Sequence, residues 1–443
     1  MRWVVIGLLL LATTTSSFAK ELSSRELSNY KRLLQNLVQG QSKPRLGELI
    51  KELAEYDDPR AYQLILPAAT LIPSAKNYEA ALDAIARVTS EKVIEELVET
   101  AGKRNIDLRW RVLLVDGFAR RIDETTRKSL LDLVQDRDTR IVVAVIRAMS
   151  ARQERDSIPA LINLLEKINT SRDRVWLETR HALVKLTGQD YDAIEDWKKF
   201  AETLPADFDP KKLGEGDGLT KVNIKKVDDS VEFFGEEIYS RNLVFVIDVS
   251  GSMMMWDDSE SYSGSNAEND LQRLKRAKEQ LYAALGKLPK GTKFNVIAYS
   301  DKVISWKKDL QPATSASIKS ATQFVSGFKA EGLTHTDDAL KRAFEDLAVD
   351  TIVLLSDGAP GKQNADTLKL IRDTVEWVRD VNPVRKIRID TFGFTKPGNW
   401  PERIPGAPVG ARPQPPSAEH IKVFVEFLQE LANSTGGTFR SID

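Results

Sequence analysis

Two patterns of apolar residues divide this chain. Between residues 21 and about 204, apolar residues recur at helical spacing, and Asp, Pro or Gly appears at the intervals where each helix would end. From residue 243 to the end, short apolar runs alternate with amphipathic segments. Residues 205–241 carry prolines, glycines and scattered charge, which is typical of a linker. We therefore predict an all-α array at 20–204 followed by an α/β domain at 242–443.

The helical part repeats a pattern at a nearly constant interval. The pattern is clearest at 138–149, which a polar turn separates from a second apolar segment at 157–165. Stepping 31 residues back and 34 residues forward from Ala148 reaches Gly117 and Ala182, and each of the three is followed by an apolar residue. A small residue lets a neighbouring helix cross closely, so these positions predict stacked helix pairs.

This pattern resembles HEAT-type repeats, whose usual phrase ends one helix in Ala-Leu and continues with Ile-Pro-x-Leu-Ile-x-Leu-Leu. The resemblance is close for 138–165 and implies a HEAT-like solenoid. Towards the N-terminus, Ala86 continues the series, but Arg87 takes the apolar position that follows it. A non-repeating helical bundle therefore stays open as the alternative. Trp197 is predicted to be a core residue that covers the last repeat.

The second domain alternates predicted strands with predicted helices. The strands are expected at 243–247, 294–299, 303–306, 351–355, 387–392 and 438–442. The helices are expected near 271–286, 315–328, 336–348, 365–380 and 419–434. Parallel neighbours need a crossover that can hold a helix, so this order predicts a doubly wound, mostly parallel sheet. The second and third strands are too close for a crossover and should form an edge hairpin, and residues 231–234 could add another edge strand.

Oxygen-bearing side chains follow two of these strands. Asp248, Ser250 and Ser252 come directly after the first strand, Asp357 follows the fourth, and Thr334 lies on the loop before a helix. Ligands collect at the carboxyl ends of strands in such folds, so we expect these five residues to converge. Two carboxylates with neutral hydroxyls suit octahedral Mg²⁺ better than Ca²⁺, and Mn²⁺ would also fit.

This set resembles the metal-ion-dependent adhesion site of von Willebrand factor type A (VWA) domains. The resemblance covers residues 243–443, and the phrase at 427–439 is similar to the last helix and strand of many bacterial members. It implies a Rossmann-like fold with Asp248, Ser250, Ser252, Thr334 and Asp357 as metal ligands.

Two insertions and a methionine-rich cluster lie in the same part of the sequence as this set. The acidic stretch 257–270 and the Pro- and Gly-rich stretch 396–417 are insertions that either shape a partner surface or are solvated loops. In the cluster 253–256, which is Met-Met-Met-Trp, we expect at least two side chains to be buried against the first helix of the domain.

Composition narrows the classes of function. The content of hydrophobic residues, 42%, is typical of a globular protein. The chain has 64 Lys and Arg residues and 65 Asp and Glu residues, so it lacks the basic excess that binding to nucleic acid or anionic lipid usually needs. Cysteine is absent, which excludes disulfides and thiolate metal sites. Arg2, the apolar run 3–12 and Ala19 are typical of a signal peptide at 1–19. We expect cleavage before Lys20, export to the periplasm or outside the cell, and no membrane-spanning segment in the mature protein.

Two classes of function compete at this stage. As a binding module, the protein would use an open metal position to engage an exposed Asp or Glu of a protein partner, and the array would offer a second surface. As a hydrolase it would need a base beside a nucleophile, but only His335 lies near the predicted metal loops and it forms no triad, so we expect no enzyme. A metal-independent envelope scaffold is a further alternative.

Overall fold

The N-terminal part of the protein is an array of helices. The computed structural model describes residues 20–213, 231–257, 272–400 and 416–442. Within these residues the array comprises α1 (Ser24–Gln39), α2 (Lys43–Leu53), α3 (Pro59–Thr70), α4 (Ala75–Arg87), α5 (Glu91–Gly102), α6 (Leu108–Phe118), α7 (Glu124–Leu133), α8 (Thr139–Arg152), α9 (Ser157–Ile168), α10 (Arg174–Thr187) and α11 (Ile194–Thr203). The predicted signal peptide at 1–19 and most of the two predicted insertions lie outside the described residues.

Short polar side chains set where many of these helices begin. An oxygen of the residue before the helix accepts a hydrogen bond from a backbone N–H of the first turn, which would otherwise have no partner. Seven helices from α3 to α10 begin in this way, after Asp58, Ser74, Ser90, Asp107, Asp123, Asp138 and Asp173. The recurring Asp that marked helix boundaries in the sequence is therefore an N-cap.

The array has two layers of stacked helices. In one layer α2, α4, α6, α8 and α10 each pack against the next, and in the other α1, α3, α5 and α7 do the same. Pairs such as α3 with α4 and α5 with α6 join the layers. This arrangement confirms the predicted helical array with HEAT-like stacking. Trp197 is buried, as predicted, and donates its indole N–H to the carbonyl of Tyr191 at 2.9 Å.

Gly117 lies where α6 crosses α4. A Cβ atom at this position would approach Cγ2 of Ile85 to 2.7 Å and its Cβ to 3.0 Å, which is closer than carbon atoms pack. The predicted close crossing is therefore present at Gly117. Ala148 and Ala182 are also buried, but Ala148 borders a cavity between the array and the second domain, so a larger side chain there has room to turn aside.

We expect Gly117→Ala to destabilise the array. Alanine has the higher helix propensity by about 1 kcal/mol, but the added methyl group overpacks the crossing against Ile85, which costs about 1 to 3 kcal/mol. Gly102→Ala is the matched control because nothing lies within 4 Å of its added Cβ. Urea unfolding of both variants measures the difference, and equal stability of the two would contradict the close crossing.

The second domain is built on a mixed, mostly parallel sheet. Its strands are β3 (Asn242–Asp248), β5 (Lys293–Tyr299), β6 (Val303–Ser305), β7 (Gln311–Pro312), β8 (Thr351–Ser356), β9 (Arg388–Phe394) and β11 (Phe439–Ile442). The spatial order is β11-β9-β8-β3-β5-β6, and β7 also pairs with β5. The pairs from β11 to β5 are parallel, whereas β6 and β7 are antiparallel to β5. The predicted sheet and its edge hairpin are confirmed. Strand β7 was not predicted, because two residues are too few to give a pattern in the sequence.

Helices cover both faces of this sheet. They are α12 (Arg273–Gly286), α13 (Ser315–Ser326), α14 (Thr336–Phe344), α15 (Thr367–Arg385) and α16 (Ala418–Thr435). One apolar core lies beneath α12 and α13, and the other lies beneath α14, α15 and α16. Helix α15 runs five residues beyond the predicted 365–380 because Asn382 bonds the backbone of Ile387 and closes the turn after Pro383.

The segment 231–234 does not extend the main sheet as an edge strand. Instead β1 (Glu232–Phe233) pairs with β2 (Glu236–Glu237) through a two-residue turn whose residues both have positive φ. The hairpin places Phe233 over the sheet, where its ring lies 5.0 Å from Phe392. Burial of this aromatic side chain on the sheet face explains why the hairpin covers the sheet and does not lengthen it.

The array and the α/β domain pack directly against each other. Helix α15 contacts α4 and α6, and a short ion pair joins Lys386 to Asp116 at 2.6 Å. The ring of Trp176 stacks on that of Tyr239 with 5.4 Å between centroids. No helix in the described part of the chain is long and apolar enough to cross a membrane.

Candidate metal centre

Asp248 ends strand β3 at the carboxyl edge of the sheet. Because β3 and β8 are parallel neighbours in register, Ser356 at the end of β8 lies beside it. The Ser356 hydroxyl donates to Oδ2 of Asp248 at 2.7 Å, and the backbone N–H of Ser250 donates to Oδ1 at 2.8 Å. Asp248 is fully buried, so these two donors fix its carboxylate at the sheet edge.

Three more of the predicted residues form a chain of hydrogen bonds next to Asp248. The hydroxyls of Ser250 and Ser252 lie 3.1 Å apart, and the Ser252 hydroxyl donates to Oδ1 of Asp357 at 2.6 Å. A 3-10 turn at Gly251–Met254 follows Ser250 and turns the second hydroxyl towards Asp357. Four of the five predicted residues are therefore brought together although 109 positions separate Asp248 from Asp357.

Thr334 lies on a loop that backbone hydrogen bonds tie to both of these segments. The carbonyl of Gly332 accepts from the N–H of Gly251 at 3.0 Å, and Thr334 forms a two-way bridge with Gly361. Gly332 has a φ of +82°, and a Cβ there would meet Asp301 at 2.4 Å, so the loop requires glycine at this point. Among the hydrogen bonds of the described residues, none joins the Thr334 side chain to the other four.

Two further residues shape the centre and were missed in the sequence. Ser356 holds Asp248, and its place at the end of a neighbouring strand is a signal that could have identified it. Arg273, at the start of α12, donates from Nη1 to Oδ2 of Asp357 at 3.0 Å, and neither side chain is exposed to solvent. Nothing in the sequence distinguishes Arg273 from the other arginines of the chain.

The environment of Asp248 opposes its ionisation. Burial, followed by the negative charge of Asp357, raises the pKa of Asp248 from its ordinary value of 3.8 to about 7, although the bonds from Ser250 and Ser356 act in the opposite direction. Two carboxylates in one buried site favour a proton or a cation between them. Carboxylate and hydroxyl oxygens are the kind of donor that a hard divalent cation prefers.

We expect this raised pKa to appear as pH-dependent stability in the cation-free protein. As pH rises from about 4 to about 7 the unfolded chain ionises Asp248 while the folded protein keeps it protonated, so stability falls. The free energy of unfolding of Asp248→Asn, compared with that of wild type, should therefore rise by about 2 to 3 kcal/mol as the pH increases from 5 to 8. Urea unfolding in EDTA measures this gain, with Asp373→Asn as an exposed control that should show none.

The donor set depends on hydroxyl oxygens. In the described part of the chain, no group of three or more Asp, Glu, His or Cys side chains is arranged to hold a metal ion. A cation at this place would be held by Asp248 and Asp357 together with the neutral serine hydroxyls. Hard cations such as Mg²⁺ and Mn²⁺ accept such ligands.

The segments that flank the centre meet in a short ribbon. Strand β4 (Trp256–Asp257), where the first insertion begins, pairs antiparallel with β10 (Gly398–Asn399) in the second. Within the preceding cluster Met253 and Met255 are buried, whereas Met254 and Trp256 are half-buried. The expectation that at least two of these four side chains would be buried is confirmed.

Residues 241–401 match the family model of the von Willebrand factor type A domain. This matched region is a VWA domain. The matched residues include all of the strands that carry the candidate centre and all five of its predicted residues.

Curated relatives and a solved structure are similar to part of this chain. The inter-alpha-trypsin inhibitor heavy chain H1 of Mesocricetus auratus is 30% identical over 157 residues, which are 33% of this chain and 15% of that protein. Heavy chain H4 of Homo sapiens is 31% identical over 132 residues, 27% of this chain and 12% of that protein. A von Willebrand factor type A structure from Catenulispora acidiphila is 20% identical, covers 47% of this chain and 40% of that chain, and has a TM-score of 0.31. This chain therefore spans a small part of the length of the curated relatives it matches.

Proposed function

We propose that this protein binds another protein through a divalent cation held by Asp248, Ser250, Ser252, Thr334 and Asp357. The observation that carries the proposal is a continuous series of hydrogen bonds, in which Asp248 accepts from the Ser356 hydroxyl and the Ser250 backbone N–H, and the Ser250 hydroxyl connects through that of Ser252 to Asp357. This set lies at the carboxyl edge of the sheet, where ligands of such folds bind. Mg²⁺ is the proposed ion, with Mn²⁺ and Ca²⁺ as alternatives.

The residues of the centre also suggest what the partner supplies. A divalent cation bound there would supply a Lewis-acidic position for an oxygen ligand from another molecule. Ser250, Ser252 and Thr334 contribute no charge, so the two carboxylates leave little negative charge to repel an incoming anion. We propose that an exposed Asp or Glu of the partner takes this position, while the helical array offers a second contact surface.

We propose binding and not hydrolysis as the role of the centre. In the structure the Ser250 hydroxyl pairs with Ser252, and Nδ1 of His335 lies 3.5 Å from Asp338. His335 donates its backbone N–H to Ser300. These contacts supply no general base beside a serine nucleophile.

A metal-independent scaffold is the second candidate function. One observation favours it: Arg273 already provides Asp357 with a buried positive partner. In that case the oxygens would be structural, and partner recognition would fall to the array or to another face of the VWA domain.

Melting of the protein in MgCl₂ separates these candidates. A cation that binds the folded protein raises its melting temperature by mass action, so we expect a concentration-dependent increase for wild type. Asp248→Ala should melt at the same temperature with and without MgCl₂. A wild-type melting temperature that MgCl₂ leaves unchanged would favour the scaffold.

We also propose that the protein is exported with removal of residues 1–19. The basis is the sequence pattern around Arg2 and Ala19, which lies outside the described residues. N-terminal sequencing of the protein from its source should return Lys20 as the first residue, and a first residue of Met1 would overturn this proposal.

A further inference from the structure

A positively charged side chain is built into the candidate metal centre. Arg273 begins helix α12, and its Nη1 donates to Oδ2 of Asp357 at 3.0 Å. Both side chains are withdrawn completely from solvent. A buried charge persists only where neighbouring groups hold it, so the contacts of this guanidinium decide whether its position is fixed.

The surroundings hold the guanidinium from several sides. Nη2 donates to the carbonyl of Lys396 at 2.7 Å, and the Arg273 backbone N–H donates to Met255. The Phe394 ring lies 5.5 Å from Cζ, a distance typical of a cation–π contact. The backbone at Gly398 passes so close that a Cβ there would lie 2.8 Å from Nη2. Arg273 is therefore a fixed part of the site.

This arrangement limits what Asp357 can give to a cation. Its Oδ2 is engaged by Arg273, and its Oδ1 accepts from Ser252. Turning a serine hydroxyl releases Oδ1, whereas Oδ2 stays bonded to a fixed guanidinium, so we expect Asp357 to contribute Oδ1. The Asp357 carboxylate would then contact both the guanidinium and the proposed cation. Because these two groups carry charge of the same sign, they repel each other at such a short separation.

We propose that Arg273 is a positioning residue that lowers the cation affinity of the centre and makes cation binding depend on an anionic ligand. The inference rests on the proposed function and concerns the regulation of that same site. A carboxylate from a partner would offset the positive charge that Arg273 adds. Because binding free energies are reciprocal, the carboxylate would strengthen cation binding by the same factor by which the cation strengthens carboxylate binding.

The first test compares MgCl₂ titrations of wild type, Arg273→Met and Arg273→Lys at pH 8, followed by melting temperature. Arg273→Met should be less stable without MgCl₂, because Asp357 loses its buried partner. Its dissociation constant for Mg²⁺ should nevertheless be about tenfold lower than that of wild type. Arg273→Lys keeps the charge and should bind Mg²⁺ like wild type. A purely structural role would lower the melting temperature of Arg273→Met equally at every MgCl₂ concentration.

The second test uses acetate as the carboxylate probe and compares wild type with Arg273→Gln. Sodium acetate at tens of millimolar, with ionic strength matched by sodium chloride, should lower the wild-type dissociation constant for Mg²⁺ severalfold. Arg273→Gln, which can still donate a hydrogen bond to Asp357, should show less of this coupling. No effect of acetate on wild type, or equal Mg²⁺ affinity in wild type and both neutral variants, would overturn the inference. If wild type failed to bind Mg²⁺ at all, the proposed function itself would fall.

Discussion

Asp248→Ala is expected to abolish cation-dependent partner binding while the protein stays folded. The variant removes the buried carboxylate that Ser250 and Ser356 hold at the end of β3, and with it a proposed ligand of the cation. We expect immobilised wild-type protein in MgCl₂ to retain a set of proteins from an envelope extract that Asp248→Ala does not retain. EDTA should release the same set from wild type.

Two controls make this experiment specific. Asp373→Ala removes a carboxylate exposed on helix α15 and should retain the same proteins as wild type. Amidation of the carboxyl groups of the retained partner should prevent its rebinding, because the proposed contact is made by an Asp or Glu. Partner binding that survived both Asp248→Ala and EDTA would place recognition elsewhere and support the metal-independent scaffold.

Asp116→Ala is expected to destabilise the contact between the array and the VWA domain by about 3 kcal/mol. Asp116 accepts from Lys386 at 2.6 Å and from the hydroxyl of Tyr78 at 2.7 Å, and the three groups are largely buried. Burial lowers the pKa of Lys386, and the charge of Asp116 opposes that effect. Without Asp116 the Lys386 ammonium group would be buried without a carboxylate partner, and this lowers the free energy of unfolding.

Urea unfolding with a double variant tests this prediction. Asp116→Ala with Lys386→Met should recover most of the lost stability, since the uncompensated charge is then gone. Asp373→Ala breaks an exposed ion pair with Lys369 and should change stability by less than about 0.5 kcal/mol. Asp116→Ala with wild-type stability would contradict a buried ionic contact between the two parts of the protein.

The parts of the fold that follow from local rules could be predicted from the sequence. The alternation of strands and helices, the close crossing at Gly117 and the meeting of Asp248 with Asp357 all follow from periodicity, side-chain size or the geometry of parallel strands. The hairpin at Phe233 could not be predicted in the same way. Its pairing was decided by burial of an aromatic ring on a sheet face that forms only in the folded domain.

Long-range polar contacts were also beyond sequence reasoning. Arg273 reaches Asp357 and Lys386 reaches Asp116, and each pair joins residues that are far apart along the chain. A charged residue in an amphipathic segment is usually solvated, so the pattern alone gave no reason to bury either one. Ser356 is different, because its position beside Asp248 follows from strand register once β3 and β8 are known to be neighbours.

Crystals of the protein soaked in MnCl₂ would reveal whether this centre binds a cation, because anomalous scattering locates manganese without reference to any partner. We predict an anomalous peak enclosed by the oxygens of Asp248, Ser250, Ser252, Thr334 and Asp357, and no such peak in Asp248→Ala crystals soaked in the same solution. Two results would contradict cation binding at this centre. One is manganese bound only elsewhere on the protein, and the other is an Asp357 carboxylate that stays bonded to Arg273 and Ser252 and does not contact manganese at saturating MnCl₂.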